Sequence, residues 1–316
     1  MQQQALANNT VATYSTGASA YVRFCIYFGF QALPVTEHTL ASFVAFQSDS
    51  CTYSTLKVYL SGIRDWALRA GHSFTPVREQ HQVHSALQGV RRVKGDAQRS
   101  KLAITPEILL GFLPHLTFSC HNDRMVWAAM LLAFFGLFRK DNITVGKASA
   151  FNPRANLTRG DFSYEHRIIW VRVKHSKTIQ FNQREHWVPV TAIREHPLCP
   201  VNALIFAFKH YPGRSPDAPA FTWEARPQQF EPLTHLHFVN SLKHLLGKSG
   251  LRFGDYSGHS FRRGGATFAH QCGMSAEMIK AQGDWKSDAY TKYLAFPAHS
   301  RLSLPKSMAK AISLQQ

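Results

Sequence analysis

The sequence predicts a mainly α-helical protein with one small antiparallel β-sheet, an α+β fold, arranged in two domains. Three observations lead to this prediction. A chain of 316 residues is long enough to form two domains with separate cores. Residues 1–92 have apolar positions at helical spacing throughout. Further along, a single β-branched hairpin pattern interrupts an otherwise helical sequence.

The N-terminal part is predicted to contain four helices. Thr36 and Thr52 stand where N-caps are expected, and Pro34, Gly71 and Pro76 interrupt the apolar pattern. The predicted helices are residues 10–29, 36–49, 52–71 and 77–92. Residues 1–92 are therefore expected to form one all-helical domain.

A basic segment follows this domain. The run from residue 91 to residue 105 has five cations, one anion and no apolar periodicity. Residues 93–104 are therefore predicted to be a linker, and residues 105–316 a second domain. An ordinary solvated connection accounts for such a run, but its charge also suits contact with a DNA backbone. The candidate DNA-binding side chains are Arg91, Arg92, Lys94, Arg99 and Lys101.

The second domain is predicted to begin with a helix and to contain a deeply buried one. Thr105 precedes Pro106, a residue favoured at the first helical position. Residues 125–138 are almost all apolar, and Arg139 ends the run. The run is too short to cross a bilayer, so it indicates a buried helix with a cation at its rim.

A β-hairpin is predicted in the middle of this domain. Residues 168–173 and 185–190 are rich in β-branched and aromatic side chains, and a polar segment separates them. Lys174 and Lys177 lie at the start of that segment. Helices are expected from there to the end of the chain.

The charge balance points to a polyanionic partner. The chain has 36 Lys and Arg against 19 Asp and Glu, a formal net charge of +17, and its isoelectric point is about 9.9. Membrane binding is the rival explanation, but the cations are scattered and no apolar run approaches the roughly eighteen residues of a span. The first ten residues lack the basic and apolar regions of a signal peptide. The protein is expected to be neither secreted nor membrane-bound.

No disulfide framework, metal site or cofactor is expected. The five cysteines are odd in number and far apart, and no C-x-x-C occurs. Two pairs, His235 with His237 and Cys120 with His121, lack the further ligands of a zinc site. The glycine pair 264–265 lacks the sequence context of a phosphate-binding loop.

The C-terminal segment 258–294 contains four residues suited to chemistry on a phosphodiester. A histidine and an arginine at i and i+3 share one face of a predicted helix. Arginine offers planar, bidentate donors to phosphate oxygens, and a tyrosine hydroxyl becomes a nucleophile when a base or nearby cations activate it. In chain order these residues are His259, Arg262, Trp285 and Tyr293.

The order and spacing of these residues resemble the signature of the tyrosine recombinases, the phage integrase family. Upstream, Gly136, Leu137 and Arg139 resemble the family's first box, in which a turn after a buried helix presents a catalytic arginine. Phe138 is inserted before the arginine here, and Asn142 stands where a glutamate is usual. With G-D-W-K-S-D-A-Y downstream, this variation resembles recombinases of eukaryotic mobile elements of the DIRS, Ngaro and Crypton types.

The resemblance implies a site-specific recombinase or integrase that cleaves and rejoins double-stranded DNA without a cofactor. It implies a SAM-like core-binding domain, a tyrosine-recombinase catalytic domain and a homotetramer in synapsis. The nucleus is the expected compartment in a eukaryote, and the cytoplasm otherwise. The implied catalytic residues are Arg139, Lys177, His259, Arg262, Trp285 and Tyr293.

Several choices remain open at the level of sequence. Lys177 is preferred over Lys174 as the general acid. Tyr293, eight residues after Trp285, is preferred over Tyr290, which is five residues after it. A DNA-binding protein without cleavage activity and a type IB topoisomerase are the alternative functions. Residues 304–314 form a short amphipathic stretch that suits either docking into a neighbouring protomer or a frayed tail.

Overall fold

The computed structural model describes residues 8–96, 101–174, 185–210, 215–293 and 305. The chain divides into two compact units, Met1–Arg99 and Ser100–Gln316. Most of the described residues are helical, and two small antiparallel sheets lie in the second unit, so the predicted mainly α fold is confirmed. Within these ranges, no helix is both long enough and apolar enough to cross a membrane.

Four α-helices build the first unit around one apolar core. They are α1 (Asn8–Phe28), α2 (Glu37–Gln47), α3 (Tyr53–Arg69) and α4 (His81–Lys94). The hydroxyls of Thr36 and Thr52 accept hydrogen bonds from the backbone N–H groups of Thr39 and Thr55, respectively. Both predicted N-caps are therefore confirmed. Fully buried side chains of the core include Tyr21, Leu40, Phe43, Leu56 and Ile63.

Helix α4 differs from its prediction at both ends. Val77–Glu79 form a separate 3-10 turn, and the helix begins at His81. It continues to Lys94 because its buried face extends to Val90, and it ends before Gly95, whose φ is 72°. The helix therefore extends two residues beyond its predicted end at 92, into the segment 93–104 that the sequence predicts as a linker. The last helical turn contains Arg91, Arg92 and Lys94, where positive charge favours the helix dipole.

A hydrophobic helix forms the centre of the second unit. All residues of α6 (His121–Phe135) from Met125 to Phe134 are buried, which confirms the predicted buried helix. Before it, Thr105 caps α5 (Pro106–Phe112) with Pro106 at the start, as predicted. The other helices of this unit are α7 (Lys140–Ile143), α8 (Pro200–Lys209), α9 (His235–Lys248), α10 (His259–Gln271) and α11 (Ala276–Gly283), followed by a 3-10 turn, Asp288–Tyr293.

The predicted hairpin is part of a three-stranded antiparallel sheet. The strands are β1 (Phe162–Glu165), β2 (Ile168–Val173) and β3 (His186–Thr191), in the order β1-β2-β3. Alternate residues of β2 are buried against the core, as the β-branched pattern requires. A second, two-stranded sheet consists of β4 (Thr222–Arg226) and β5 (Gln229–Pro232), so the expectation of one sheet followed only by helices is wrong at these residues.

Two adjacent glycines allow α10 to pack closely between its neighbours. A Cβ atom on Gly264 would lie 1.7 Å from the carbonyl oxygen of Ile104, and one on Gly265 would lie 2.0 Å from that of Phe134. On the side of α10 that faces Ile104, the Ile104 N–H also donates a hydrogen bond to the Ser260 carbonyl at 3.0 Å. The glycine pair is therefore a packing feature that places the start of α10 against α6.

We expect Gly264→Ala to destabilise the protein. The added methyl group would overlap a backbone carbonyl, so the free energy of unfolding should fall by about 1–3 kcal/mol or more. Gly247→Ala is the matched control, because that helical glycine of the same unit has no neighbour within 4 Å of the new Cβ. This control should raise the free energy of unfolding by roughly 0.5–1 kcal/mol. Denaturant unfolding measures both, and equal effects would contradict the packing role.

Candidate active site

Arg262 is buried in the first turn of α10 and lies on the face of Trp285. Its guanidinium carbon is 3.7 Å from the indole ring centroid, and only 2% of the residue is exposed. Nη1 donates to the Leu137 carbonyl, and Nη2 donates to the Gly283 carbonyl at 2.5 Å. A buried cation needs such partners because its desolvation is costly. The ring and the two carbonyl groups fix the plane of the guanidinium.

These carbonyl groups lie at two helix ends that have the same backbone conformation and hydrogen-bond pattern. After α6, the Phe138 N–H donates to the Ala133 carbonyl at 3.1 Å; after α11, the Trp285 N–H donates to the Lys280 carbonyl at 3.0 Å. Both turns are Schellman motifs, which usually require glycine at the left-handed position. Leu137 (φ 52°) and Asp284 (φ 54°) occupy those positions instead. Two negative helix ends thus face the buried Arg262.

Arg139 follows the first of these turns and is half-buried. Its N–H donates to Asn142 Oδ1 at 3.2 Å, and the Asn142 N–H donates to the Arg139 carbonyl at 2.9 Å. Asn142 therefore caps the short helix α7 from the position at which the sequence comparison expects a glutamate. Arg139 and Arg262 line one small pocket, together with His186 and Asp284. The structure thus brings together the two arginines singled out in the sequence.

His259 is the first residue of α10 and is exposed. Desolvation lowers the pKa of its imidazole below the ordinary value, and the Asp141 carboxylate opposes that effect. The cationic side chains of Lys140, Arg139 and Arg262 lower the pKa further. A neutral imidazole at neutral pH is suited to accept a proton.

Two further residues beside this histidine were not among the predicted site residues. His235 Nε2 lies 3.1 Å from Asp141 Oδ1. The sequence pattern suggests His235 only as a metal ligand paired with His237, but His237 stacks on Trp223 with ring centroids 4.5 Å apart. The only local signal was that Asp141 stands two residues after Arg139. No pattern along the chain connects it with a distant helix start.

The tryptophan and the two candidate tyrosines lie close together along the chain. Tyr290 is buried against Trp285, with ring centroids 6.3 Å apart. The backbone of Tyr293 belongs to the same 3-10 turn, Asp288–Tyr293, and its side chain lies outside the described part of the structure.

The two candidate lysines differ in what the structure describes. Lys177 falls within 175–184, outside the described residues. Lys174 Nζ lies 2.6 Å from Asp161 Oδ2, and Arg172 Nη2 lies 3.0 Å from Asp161 Oδ1. Asp161 is fully buried, so these two cations compensate its charge. Lys174 therefore has a structural contact at the end of β2.

Three of the five candidate DNA-binding cations have intramolecular contacts within their own units. Arg91 pairs with Asp96 at 3.1 Å, and Lys94 donates to the Asp49 carbonyl at 2.9 Å. Lys101 donates to the Gly254 carbonyl at 2.5 Å. Arg92 is exposed on the last turn of α4, and Arg99 lies outside the described residues.

The described residues include no group of three or more His, Cys, Asp or Glu side chains placed to hold a metal ion. All five cysteines are free thiols: Cys25 and Cys199 are buried, Cys51 is half-buried, and Cys120 and Cys272 are exposed.

No protein-family model matches the chain. Its sequence is 25% identical over 296 residues to an integrase/recombinase XerD homologue of Selenomonas ruminantium. The alignment covers 90% of this chain and 81% of that relative.

Three solved structures of similar fold are of a recombinase or an integrase bound to DNA. The XerH recombinase on a palindromic difH substrate is 15% identical, with a TM-score of 0.61 over 96% of this chain and 79% of that one. The Tn1549 transposon integrase with transposon right end DNA is 14% identical, with a TM-score of 0.62 over 98% and 96%. A lambda integrase dimer on a COC' core site is 17% identical, with a TM-score of 0.58 over 92% and 73%. The chain has the fold of these recombinases and integrases.

Proposed function

We propose that the protein is a site-specific DNA recombinase, or integrase, which acts through a 3′-phosphotyrosyl intermediate. One observation carries this proposal: Arg139 and the rigidly held Arg262 line a single pocket. Two arginine residues at one site suit the non-bridging oxygens of one phosphodiester. The similarity to DNA-bound recombinases and the net charge of +17 support duplex DNA as the substrate.

In the proposed reaction, Tyr293 Oη attacks the scissile phosphorus. A bond from phosphorus to the tyrosine oxygen forms while the bond to the 5′ oxygen breaks. His259 accepts the tyrosine proton, and Lys177 donates a proton to the departing 5′ oxygen. Attack by a 5′ hydroxyl of another strand then reverses these steps and releases the tyrosine. Each step exchanges one phosphate ester for another, so no metal ion or nucleotide is required.

The arginines act on the charge that develops at phosphorus. Preorganised donors are effective because they need no reorganisation as the reaction proceeds. The contacts of Arg262 with the Leu137 and Gly283 carbonyls provide this preorganisation. Trp285 supports the guanidinium and the turn that contains Tyr293, and its indole N–H is proposed to donate to a phosphate oxygen.

Lys177 is the proposed general acid because Lys174 has another role. The ion pair between Lys174 and the buried Asp161 would have to break before Lys174 could reach a DNA strand. Breaking it would leave Asp161 with Arg172 as its remaining cationic partner among the described ion pairs. The structural contact of Lys174 therefore favours Lys177.

We also propose how the protein is organised and assembled and from which kind of genetic element it comes. Residues 1–92 are proposed as a SAM-like core-binding domain, 93–104 as a basic linker and 105–316 as the catalytic domain, which assembles into a tetramer in synapsis. Residues 304–314 would dock into a neighbouring protomer. The R-K-x-N sequence at 139–142 favours a mobile element of the DIRS, Ngaro or Crypton type and, in a eukaryote, action in the nucleus.

The proposed function is tested by isolating a cognate site. Duplexes that the protein binds are selected from randomised DNA, and the selected duplexes are incubated with the protein and denatured in SDS. A covalent protein–DNA adduct and joined products from two duplexes are expected. Binding without an adduct would favour a non-cleaving DNA-binding protein. Relaxation of supercoils without joining of two sites would favour a topoisomerase.

We expect Tyr293→Phe to eliminate the covalent adduct and to preserve folding and DNA affinity, because it removes one oxygen and almost no volume. Tyr290→Phe is the matched control. Its ring packs against Trp285, and phenylalanine keeps that packing, so the adduct should persist. Gel analysis after SDS denaturation distinguishes the two variants. An adduct that survives Tyr293→Phe but disappears with Tyr290→Phe would identify Tyr290 as the nucleophile.

We expect Arg262→Lys to reduce adduct formation by at least about a hundredfold, because lysine lacks the planar donors that hold a phosphate and stack on the indole. The Kd for DNA should change by less than about tenfold, since binding is spread over many cations. Arg262→Ala should have the same effect on cleavage. Arg252→Ala is the control, because it removes the same charge from an exposed site. A parallel loss of affinity and cleavage would assign Arg262 a binding role.

We expect cleavage and joining to persist in excess EDTA. The proposed mechanism stabilises the phosphate charge with arginines, and no step uses a metal-bound group. The measurement is the rate of adduct formation with and without chelator, followed by addition of magnesium. Loss of activity in EDTA and its return with magnesium would contradict the mechanism.

A further inference from the structure

The contact between His235 and Asp141 links the start of α9 to α7. The His235 Nε2 atom is 3.1 Å from Asp141 Oδ1, and Lys140 Nζ donates to the same carboxylate oxygen. On the other edge of the ring, His235 Nδ1 is 2.6 Å from Thr144 Oγ1. The imidazole is therefore held on both sides by residues of, or next to, one short helix.

The hydrogen-bond pattern accommodates both protonation states of His235. Desolvation, together with the charge of Lys140, lowers the pKa of this imidazole, although Asp141 opposes the shift. The neutral ring then donates a hydrogen bond from Nε2–H to Asp141 and accepts one from the Thr144 hydroxyl at Nδ1. On protonation, Nδ1–H donates to Thr144 Oγ1, whose hydroxyl can turn to the Lys140 carbonyl at 2.7 Å. The contact with Asp141 persists in both states.

The helix that contains Asp141 also packs beside the start of α10, which contains the proposed proton acceptor. The aliphatic part of Lys140 packs against Gly258, the residue directly before His259. A Cβ atom placed on that glycine would lie only 3.1–3.4 Å from Lys140 carbons. Asp141 and His259 interact electrostatically. The other charged groups that act on His259 are Lys140, Arg139 and Arg262. Asp141 is therefore the one anion in that set.

We propose that His235 and Asp141 are a positioning pair for His259, in which His235 orients the Asp141 carboxylate toward the imidazole that accepts the tyrosine proton. The proposal rests on the recombinase function proposed above and adds two residues outside its predicted catalytic set. Without the pair, three cations would surround His259 unopposed and make it a weaker base.

The electrostatics agree with this geometry. Desolvation acts to raise the pKa of Asp141, but the contacts with Lys140 and the charges of His235 and His259 lower it further than desolvation raises it. The Asp141 carboxylate is therefore ionised at neutral pH. Its charge raises the pKa of His259 against the desolvation that lowers it. Asp141 is 58% exposed, so salt should weaken this coupling. Removal of the carboxylate should lower the pKa of His259.

The first test uses the free protein and needs no DNA. The imidazole of His259 is titrated by NMR in wild type and in Asp141→Asn, and its signal is assigned by its absence in His259→Gln. The asparagine variant has almost the same shape, and the site is largely exposed, so it should fold. We expect the pKa of His259 to fall in Asp141→Asn and the difference to shrink at high salt. An unchanged pKa would overturn the proposal.

The second test uses the rate of adduct formation on the selected duplex across a pH series. In Asp141→Asn, the acid limb of the pH–rate profile should move to lower pH, because the pKa of His259 is lower. The plateau rate should fall on the order of tenfold, because a weaker base supplies less of the rate gain from general base catalysis. His235→Gln should retain most of the activity, because the glutamine amide nitrogen can replace Nε2–H as donor to Asp141. His235→Asn places its amide near Nδ1 instead and should lose about as much as Asp141→Asn.

His237→Gln is the control for the second test, since His237 is on the same helix but contacts Trp223 and Glu231. It should leave the pH profile unchanged. Equal activity of His235→Gln and His235→Asn would overturn the orienting role of His235. If wild type forms no adduct, the recombinase function fails, and the NMR titration alone decides whether Asp141 controls the basicity of His259.

Discussion

The second unit depends on one physical constraint, the burial of a positive charge at Arg262. A guanidinium removed from water needs compensation for its lost hydration. Here the indole ring of Trp285 and two backbone carbonyl groups provide it. One carbonyl belongs to Leu137 in the turn after α6, and the other carbonyl and the ring belong to Gly283 and Trp285 at the end of α11. The burial of one side chain of α10 thus links two segments that are far apart in sequence.

Backbone geometry at these contacts accounts for several residue types. Leu137 and Asp284 hold left-handed conformations in which glycine is usual, and such conformations persist when surrounding contacts determine them. Leu137 is buried in the same small cluster as Trp285 and Tyr290, so packing stabilises its conformation. Gly283 has no substitute, because a Cβ atom would lie 1.7 Å from the Trp285 ring. Backbone strain at the two helix ends coincides with the proposed active site.

Charge has different roles in different parts of the molecule. Lys174 and Arg172 compensate the buried Asp161 and thereby hold the end of β2, whereas Arg139 faces a pocket. Near His259, one carboxylate moderates the effect of three cations. The net charge of +17 therefore conceals local arrangements in which the few anions decide what individual cations do.

The sequence by itself determined the elements that local interactions control. The caps at Thr36, Thr52 and Thr105, the buried helix α6 and the β2–β3 hairpin follow from side-chain hydrogen bonds and apolar periodicity within a few residues, and they form as predicted. The motif spacing also selected Arg139 and Arg262, which meet in one pocket.

Only the tertiary structure decided what surrounds those residues. The partners of Arg262 are backbone carbonyls, which every residue has, so no sequence pattern identifies them. The same applies to the pairing of Asp141 with His235, because it depends on how α7 and α9 pack. The extension of α4 to Lys94 and the close approach at Gly264 likewise depend on contacts between distant segments, whose geometry local periodicity does not contain.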